Sequence, residues 1–533
     1  MQKTLTLLMA QTNPTVGAIE KNAEKIIQII CIHQHQHDAI VFPELALTGY
    51  PPEDLLLRPE LLDRVDAALA RIADHTTDCH VILGHPTKIN GPLYNSASVF
   101  FQGERLAVYH KQQLPNFGVF DENRYFTPGP ATPCLLTING YRIGLCICED
   151  IWQPGPVDQL IDANATLMIC INASPFDQDK YVQREALLKT HAQRGLAIVY
   201  VNQVGGQDEL VFDGQSLVLN HVGNVMARAP AFTEYLQTVT FNDQHITSEV
   251  APLLERNASI YQALVCGLRD YVEKNHFPGV LLGLSGGIDS ALTLSIAVDA
   301  LGAPRVFAVM LPSRFTADIS VVDALEQLHG LSVQHTTLPI EPAFNTLLTT
   351  LAPAFSNQKR DLTEENIQAR IRGLLLMALS NKTGNMLLTT SNKSETAVGY
   401  ATLYGDMCGG FSVLKDVLKT TVYALARYRN SISAVIPERV ITRAPSAELA
   451  FNQTDQDSLP DYETLDAILC LYMEERLGPN EMIARGYEQA IVLEVIQRIV
   501  RNEYKRRQAA PGVKVTACAF DRDWRYPMTS EFF

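Results

Sequence analysis

Three apolar residues, Val280-Leu281-Leu282, run directly into Gly283-Leu284-Ser285-Gly286-Gly287-Ile288-Asp289-Ser290 and from there into a second apolar stretch over residues 291–300. A short, wholly apolar run reads as a strand buried on both faces, and the longer stretch beyond the turn reads as a helix. Strand, tight turn and helix in that order commit this half of the chain to a layered α/β architecture. The turn also has a chemistry of its own. Adjacent glycines let the backbone approach an anion without Cβ interference, two serine hydroxyls add donors, and the helix presents the positive end of its dipole. Asp289 stands where a Walker A loop carries its lysine, and a carboxylate there suits Mg²⁺ better than bare phosphate. A turn that merely joins strand to helix would leave the aspartate and both serines unexplained.

Similar units follow, with strand-like runs at residues 306–310, 333–338 and 386–389 and helical stretches between them, as a doubly wound parallel sheet with ligands at its carboxyl edge requires. A second series lies upstream, with strand-like runs at 5–10, 39–42, 81–84, 142–147, 167–171 and 197–201. Between the two, residues 241–257 turn polar and charged around Pro252, and a helical pattern starts near Ser259 and runs to about Lys274. The boundary is placed near residue 250, giving domains 1–250 and 251–533. The last hundred residues read as mostly helical to about Gln508. A length of 533 residues suits roughly two to four domains. With 47% hydrophobic and 19% charged residues the composition is that of a globular enzyme.

A net charge of -15 argues against a sequence-independent nucleic-acid or anionic-membrane surface. No uncharged apolar run reaches the ~18 residues of a membrane span, and the N-terminal ten residues read as a first strand rather than a signal peptide. Ten cysteines are scattered through apolar runs without paired spacing, which points to a reducing cytoplasm. Cys31, His33, His35 and His37 look like a metal tract, but alternate residues on a helix do not share a face, so at most His33 and His37 converge.

Three polar residues in the first series sit at the ends of strand-like runs: Glu44 in Phe42-Pro43-Glu44, Lys111 in His110-Lys111-Gln112, and Cys148 in Cys146-Ile147-Cys148-Glu149-Asp150-Ile151-Trp152. Singly, each has a plain reading as a cap, a solvated lysine or a packed thiol. Together they supply a base, a cation for an oxyanion and a nucleophile, which suits attack on a carbon bonded to nitrogen. In these contexts and this order the chain resembles the nitrilase superfamily, over most of residues 1–245. The resemblance implies an αββα sandwich, with Glu44 as general base, Cys148 as thioester-forming nucleophile and Lys111 stabilising the tetrahedral intermediate. It also implies Glu122 as a second carboxylate, and Phe117, Ser174 and Lys180, with Glu149 nearby, as glutamine contacts. Position 117 is often tyrosine in the family, so Phe117 must act by packing or through its backbone.

The loop at 283–290 resembles the Ser-Gly-Gly-x-Asp-Ser signature of the ATP pyrophosphatases, which implies an adenine nucleotide α-hydrolase-like sheet and attack by a substrate oxygen on the α-phosphate of ATP. A nitrilase-like half followed by such a domain, with the segments at 365–372, 389–395, 404–406 and 502–508, resembles the glutamine-dependent NAD synthetases. The family pattern then implies ATP binding by Gly283, Leu284, Ser285, Gly286, Gly287, Ile288, Asp289, Ser290 and Thr390. It implies deamido-NAD⁺ contacts at Asn366, Glu395 and Lys505, and weaker phosphate-side candidates at Lys415 and Ser446. Asp289 and Glu395, as hard oxygen ligands, are the candidates for Mg²⁺, with ATP as co-substrate. The resemblance further implies glutamine as nitrogen donor, a shielded route for ammonia, a homo-oligomer and small-molecule partners only. Two other enzymes stay open: a different glutamine amidotransferase of the pyrophosphatase group, and an ammonia-dependent ligase whose first half hydrolyses another amide. The first would carry a Cys-His-Glu triad or an N-terminal cysteine, and Met1-Gln2 speaks against the latter.

Overall fold

The computed structural model describes residues 3–243, 245–356, 358–451 and 453–532, so Met1 and Gln2, at the start of the first expected strand, lie outside it. The chain divides into two units, Met1–Leu254 and Glu255–Phe533.

In the first unit the strands are β1 (Thr4–Gln11), β2 (Ala39–Val41), β3 (His80–Lys88), β4 (Leu93–Phe101), β5 (Glu104–His110), β6 (Leu135–Ile138), β7 (Tyr141–Ile147), β8 (Leu167–Asn172), β9 (Ala197–Asn202), β10 (Val204–Gln207), β11 (Leu210–Asp213), β12 (Leu217–Leu219), β13 (Val225–Arg228), β14 (Tyr235–Asn242) and β15 (His245–Thr247). They form a seven-stranded sheet, β15-β14-β1-β2-β3-β4-β5, a six-stranded sheet, β13-β12-β9-β8-β7-β6, and a β10-β11 pair. Each large sheet has a parallel centre, β1-β2-β3 or β7-β8-β9, with antiparallel edges. Side chains of a strand alternate between faces, and the packing follows that period. Leu5, Leu7 and Met9 of β1 meet Ile143, Leu145 and Ile147 of β7 between the sheets. Leu8 and Ala10 turn outward to α1 (Ile19–His33) and α2 (Pro59–Ala73). Cys146, Met168 and Cys170 turn outward to α3 (Pro156–Asp162) and α4 (Lys180–Ala192). This is the αββα sandwich.

The second unit has a five-stranded, all-parallel sheet of β16 (Val280–Gly283), β17 (Val306–Met310), β18 (Gln334–Thr337), β19 (Met386–Thr389) and β20 (Phe411–Ser412), in the order β18-β17-β16-β19-β20. Its helices include α5 (Arg256–Lys274), α6 (Ile288–Leu301), α7 (Asp318–Leu331), α8 (Glu341–Phe355), α9 (Leu362–Thr383), α10 (Lys393–Val398) and α11 (Lys419–Ile432). Leu281, Val309 and Leu387 pack against Phe344 of α8 and Ile367 and Ile371 of α9. The alternate residues Val280, Leu282 and Ala308 are buried as well, as a doubly wound sheet requires. Strand order reverses at β16, so the glycine-rich loop leaves the sheet at its switch point, where such folds bind ligands.

The structure refines the helix boundaries. The α5 helix starts at Arg256, upstream of Ser259, because Glu255 is still extended and serves as its N-cap. Beyond α11 the helices are Glu438–Thr442, Tyr462–Leu469 continued by a π-helical Cys470–Glu474, Pro479–Ala484, Gln489–Arg501 and Glu503–Arg506. The apolar face of Gln489–Arg501 is core, with Val492, Val495, Ile496 and Ile499 packed on Leu465 and Trp524. The histidine tract ends α1. His37 is bound to the His33 carbonyl and to Thr238 Oγ1, and among the described residues no three His, Cys, Asp or Glu side chains are placed to share a metal.

Candidate active sites

Glu44, Lys111 and Cys148 come from the carboxyl ends of β2, β5 and β7, two of them in one sheet and one in the other. Lys111 and Glu44 are fully buried and form an ion pair, Nζ donating to Glu44 Oε1 at 2.7 Å and to Glu122 Oε1 at 2.8 Å. Asn95 Nδ2 donates to the same Glu44 oxygen at 2.7 Å, and the Ala173 amide, just past β8, donates to Oε2 at 2.9 Å. Four hydrogen bonds from three donor groups thus fix the two carboxylates, two of them from the one ammonium. Burial disfavours the Lys111 cation, yet Glu122, Glu44 and Cys148 overcome it and hold the ammonium pKa well above its usual value. Glu122 is pushed up to about 7, by burial first and Glu44 second, against the pull of Lys111. Burial and then the charge of Glu44 raise the Cys148 thiol well above the ordinary range, with Lys111 opposing. A thiol in these surroundings would act as a nucleophile only with a base to take its proton. Cys148 opens a short 3₁₀ turn, Cys148–Ile151, with φ at 44°, in the left-handed region.

Of the residues read as glutamine contacts, three surround this turn or its neighbours. Lys180 opens α4 with its ammonium 4.1 Å above the Trp152 ring, and burial lowers its pKa despite Asp177, Cys148 and Glu149. Glu149 is buried and accepts a hydrogen bond from Gln153. Ser174 is buried past β8, its amide donating to Asn202 Oδ1 and its hydroxyl facing the Arg184–Asp213 ion pair. Phe117 is 58% exposed and packs edge-on against Phe120, so it offers a ring and no hydroxyl.

In the second unit, residues 283–290 line a cleft of about 280 Å³ together with Thr390, Glu395, Lys419, Arg372, Arg443 and Ser446. The loop is internally braced: Ser285 and Ser290 hydroxyls lie 3.0 Å apart, the Gly287 amide donates to Ser285 Oγ, and Ser290 Oγ donates to the Gly287 carbonyl. Only one of its glycines is compelled. Gly286 has φ of 82°, and a Cβ there would stand 2.2 Å from the Ser320 carbonyl oxygen on α7. Gly286→Ala is expected to displace the loop at a cost of about 1–3 kcal/mol. Titration of ATP should show weakened binding, with glutamine hydrolysis unchanged.

Asp289 and Glu395, 106 residues apart in sequence, meet at one side chain. Lys419 Nζ donates to Asp289 Oδ2 at 2.5 Å and to Glu395 Oε1 at 2.9 Å, and Asn392 Nδ2 donates to Asp289 Oδ1 at 2.9 Å. Burial lifts Glu395 to about 7, with Lys419 opposing and Asp289 reinforcing. Asn366 and Lys505 reach a different place. Asn366 Oδ1 accepts from Thr402 at 2.8 Å, and Lys505 donates to the Gly399 and Ala401 carbonyls at 2.7 and 2.8 Å, so both hold the segment that follows α10. Lys505 and Lys415 line a small cavity that shares Thr389 and Ser391 with the main cleft, although Lys415 is held by both carboxylate oxygens of Asp521 at 2.8 Å. Ser446 donates to the Gln453 carbonyl.

Residues 7–248 match the carbon-nitrogen hydrolase family and residues 260–509 the NAD synthase family. A glutamine-dependent NAD(+) synthetase of Acinetobacter baylyi is 48% identical over 99% of this chain and 99% of its own length. The chain belongs to the glutamine-dependent NAD(+) synthetases. A member from Xylella fastidiosa is 48% identical with full coverage of both chains. The solved structure of the Acinetobacter baumannii synthetase, in complex with ADP, superposes with a TM-score of 0.82 at 49% identity over 99% of this chain and 98% of that one. The synthetase fold adds residues that the sequence did not disclose. Lys419 is the shared partner of both cleft carboxylates, Asn392 caps α10 while holding Asp289, and Asn95 and Tyr50 orient Glu44 and Glu122. Lys419 sits one residue after an apolar Val417-Leu418 pair, and nothing in that context marks it for chemistry.

Proposed function

We propose that this enzyme, a glutamine-hydrolysing carbon–nitrogen ligase, amidates deamido-NAD⁺ to NAD⁺ through two centres in one chain. At the first, Glu44 accepts the Cys148 thiol proton as sulfur attacks the side-chain amide carbon of glutamine. Lys111 stabilises the oxyanion, and collapse of the intermediate expels ammonia and leaves a γ-glutamyl thioester. Water then cleaves the C–S bond, giving glutamate and regenerating the thiol. At the second, a carboxylate oxygen of deamido-NAD⁺ attacks the α-phosphate of ATP with loss of pyrophosphate. Ammonia attacks the resulting acyl adenylate and expels AMP. The observation that carries this reading is the buried Glu44–Lys111–Glu122 cluster beside the Cys148 thiol, in a chain whose other unit carries the loop 283–290 along its cleft.

Phe117, Ser174, Lys180 and Glu149 are proposed to hold glutamine, residues 283–290 and Thr390 the nucleotide, and Asn366, Glu395 and Lys505 deamido-NAD⁺. For Mg²⁺ the donor set fits, since the Asp289 and Glu395 carboxylates already converge on one cation, the Lys419 ammonium. Among the described residues no third protein ligand joins them, so phosphate and water oxygens would complete the shell. Bound there, Mg²⁺ would neutralise phosphate charge. A cytoplasmic homo-oligomer acting on small molecules is the form the family resemblance supports. Among the described residues no helix is long and apolar enough to cross a membrane.

Supplying ATP, Mg²⁺, glutamine and deamido-NAD⁺ together is expected to yield NAD⁺, AMP and pyrophosphate in equal amounts. Chelation of the metal should stop synthesis from glutamine and from ammonium alike while glutamate release persists. ADP and phosphate in place of AMP and pyrophosphate would overturn the adenylate route.

A further inference from the structure

The first centre has a mechanical problem that its catalytic side chains solve only in part: Glu44 ties Lys111 to the Ala173 amide past β8, but neither bond reaches the turn that carries Cys148. Lys111 follows β5 in the seven-stranded sheet, whereas Cys148 follows β7 in the six-stranded one. The layer between the sheets is apolar, built of residues such as Leu7, Val99, Leu145 and Ile171. Apolar burial is non-directional and fixes no lateral register to the fraction of an ångström that catalysis needs. Something polar must join the two strand ends.

Asp150 makes that join. Its side chain is completely buried. Oδ1 accepts from the Gln112 amide at 3.0 Å and the Gln113 amide at 2.9 Å, the two residues that follow Lys111. Oδ2 accepts from the Tyr109 hydroxyl at 2.8 Å, on β5, and from the Ile147 amide at 3.0 Å, the residue before the nucleophile. One carboxylate thus takes three donors from the lysine-bearing chain and one from the thiol-bearing turn that it also belongs to. Three of the partners are backbone amides that can only donate, so an amide nitrogen in place of Oδ2 would lose the Ile147 bond. The turn it closes is the one in which Cys148 has its left-handed backbone.

We propose that Asp150 is a positioning residue for glutamine hydrolysis, locking the Lys111 strand end to the Cys148 turn across the two sheets. It touches no reacting atom, and it acts through the relative placement of ammonium and thiol. The proposal rests on the reading of Cys148 as nucleophile. Asp150→Asn keeps the shape but turns an NH₂ group toward donors on one side. Misplacement of this kind costs about 10²-fold in rate, so the expected result is a fall of that size in kcat for glutamine hydrolysis with KM little changed, and ammonium-supported synthesis at the wild-type rate. Tyr109→Phe removes one donor without altering the carboxylate, and should lower the same kcat by a smaller factor with the melting temperature retained. In the double variant the loss should equal that of Asp150→Asn alone, because both act through one carboxylate. Iodoacetamide should still alkylate Cys148 in each variant, showing that the thiol is present and reachable. Wild-type kcat in Asp150→Asn, or additive losses in the double variant, would overturn the tether. Parallel loss of ammonium-supported synthesis or of melting temperature in Tyr109→Phe would also overturn it, by reducing Asp150 to a folding role. If instead Cys148→Ala hydrolyses glutamine normally, it is the nucleophile reading that fails.

Discussion

Cys148→Ala is expected to abolish NAD⁺ formation from glutamine and to leave formation from ammonium close to the wild-type rate. Loss of a nucleophile in a hydrolytic triad costs on the order of 10⁴- to 10⁶-fold, and no neighbouring group replaces it here. Cys146 lies two residues back in β7 and faces the helices α3 and α4, packed with Leu160 and Leu188. The substitution is also clean. It removes a buried neutral thiol and leaves Lys111 between Glu44 and Glu122. Glu44→Ala would be a poorer test, since stripping one partner from a buried ion pair costs about 3–5 kcal/mol and confounds chemistry with folding. Steady-state rates with each nitrogen donor decide the matter. Equal loss of both activities would sink the division of labour between the two units.

Asp289→Ala is expected to remove synthesis from either donor, by about 10²- to 10³-fold, the scale on which loss of one aligned electrostatic group acts at a phosphoryl or acyl centre. The physical reason is that Asp289 does three things. It lies in the loop that lines the nucleotide cleft, it accepts from Asn392 at the start of α10, and it shares Lys419 with Glu395. Without it, Lys419 turns wholly to Glu395 and one of the two hard oxygen donors is gone. Glutamine hydrolysis, measured as glutamate release, should persist. Wild-type synthesis by this variant would refute the role of the loop carboxylate.

What could be read from the sequence was what is local. The run 280–282, the glycine-rich turn and the apolar helix after it specify their own conformations, and β1 and β7, buried on both faces over most of their length, stand in the chain as continuous apolar runs. Glu44, Lys111 and Cys148 could be singled out as candidates because each follows a strand with a distinctive neighbour, such as Pro43 before Glu44. Strands at and next to the sheet edges were harder. The strands β12, β13 and β15 have only three or four residues, and the longer β14 is buried only at alternate positions, so they carry little of the continuous apolar signal that marks β8 or β9. Convergence over long range could not be read at all. Lys419 meets Asp289 across 130 residues, and Asp150 meets Gln112 across 38, and neither pairing leaves a trace in composition or periodicity. Lys415, four residues from Lys419, is chemically the same to a reader of sequence, yet its ammonium is held by Asp521.

The left-handed backbone at Cys148 sets reactivity against durability. A residue with a Cβ in that region costs roughly 1–2 kcal/mol that glycine would not, so drift under selection for stability alone runs toward glycine at 148. On the proposed reading, glycine there would ease the backbone and end glutamine hydrolysis at once, so folding and chemistry make opposite demands on one position.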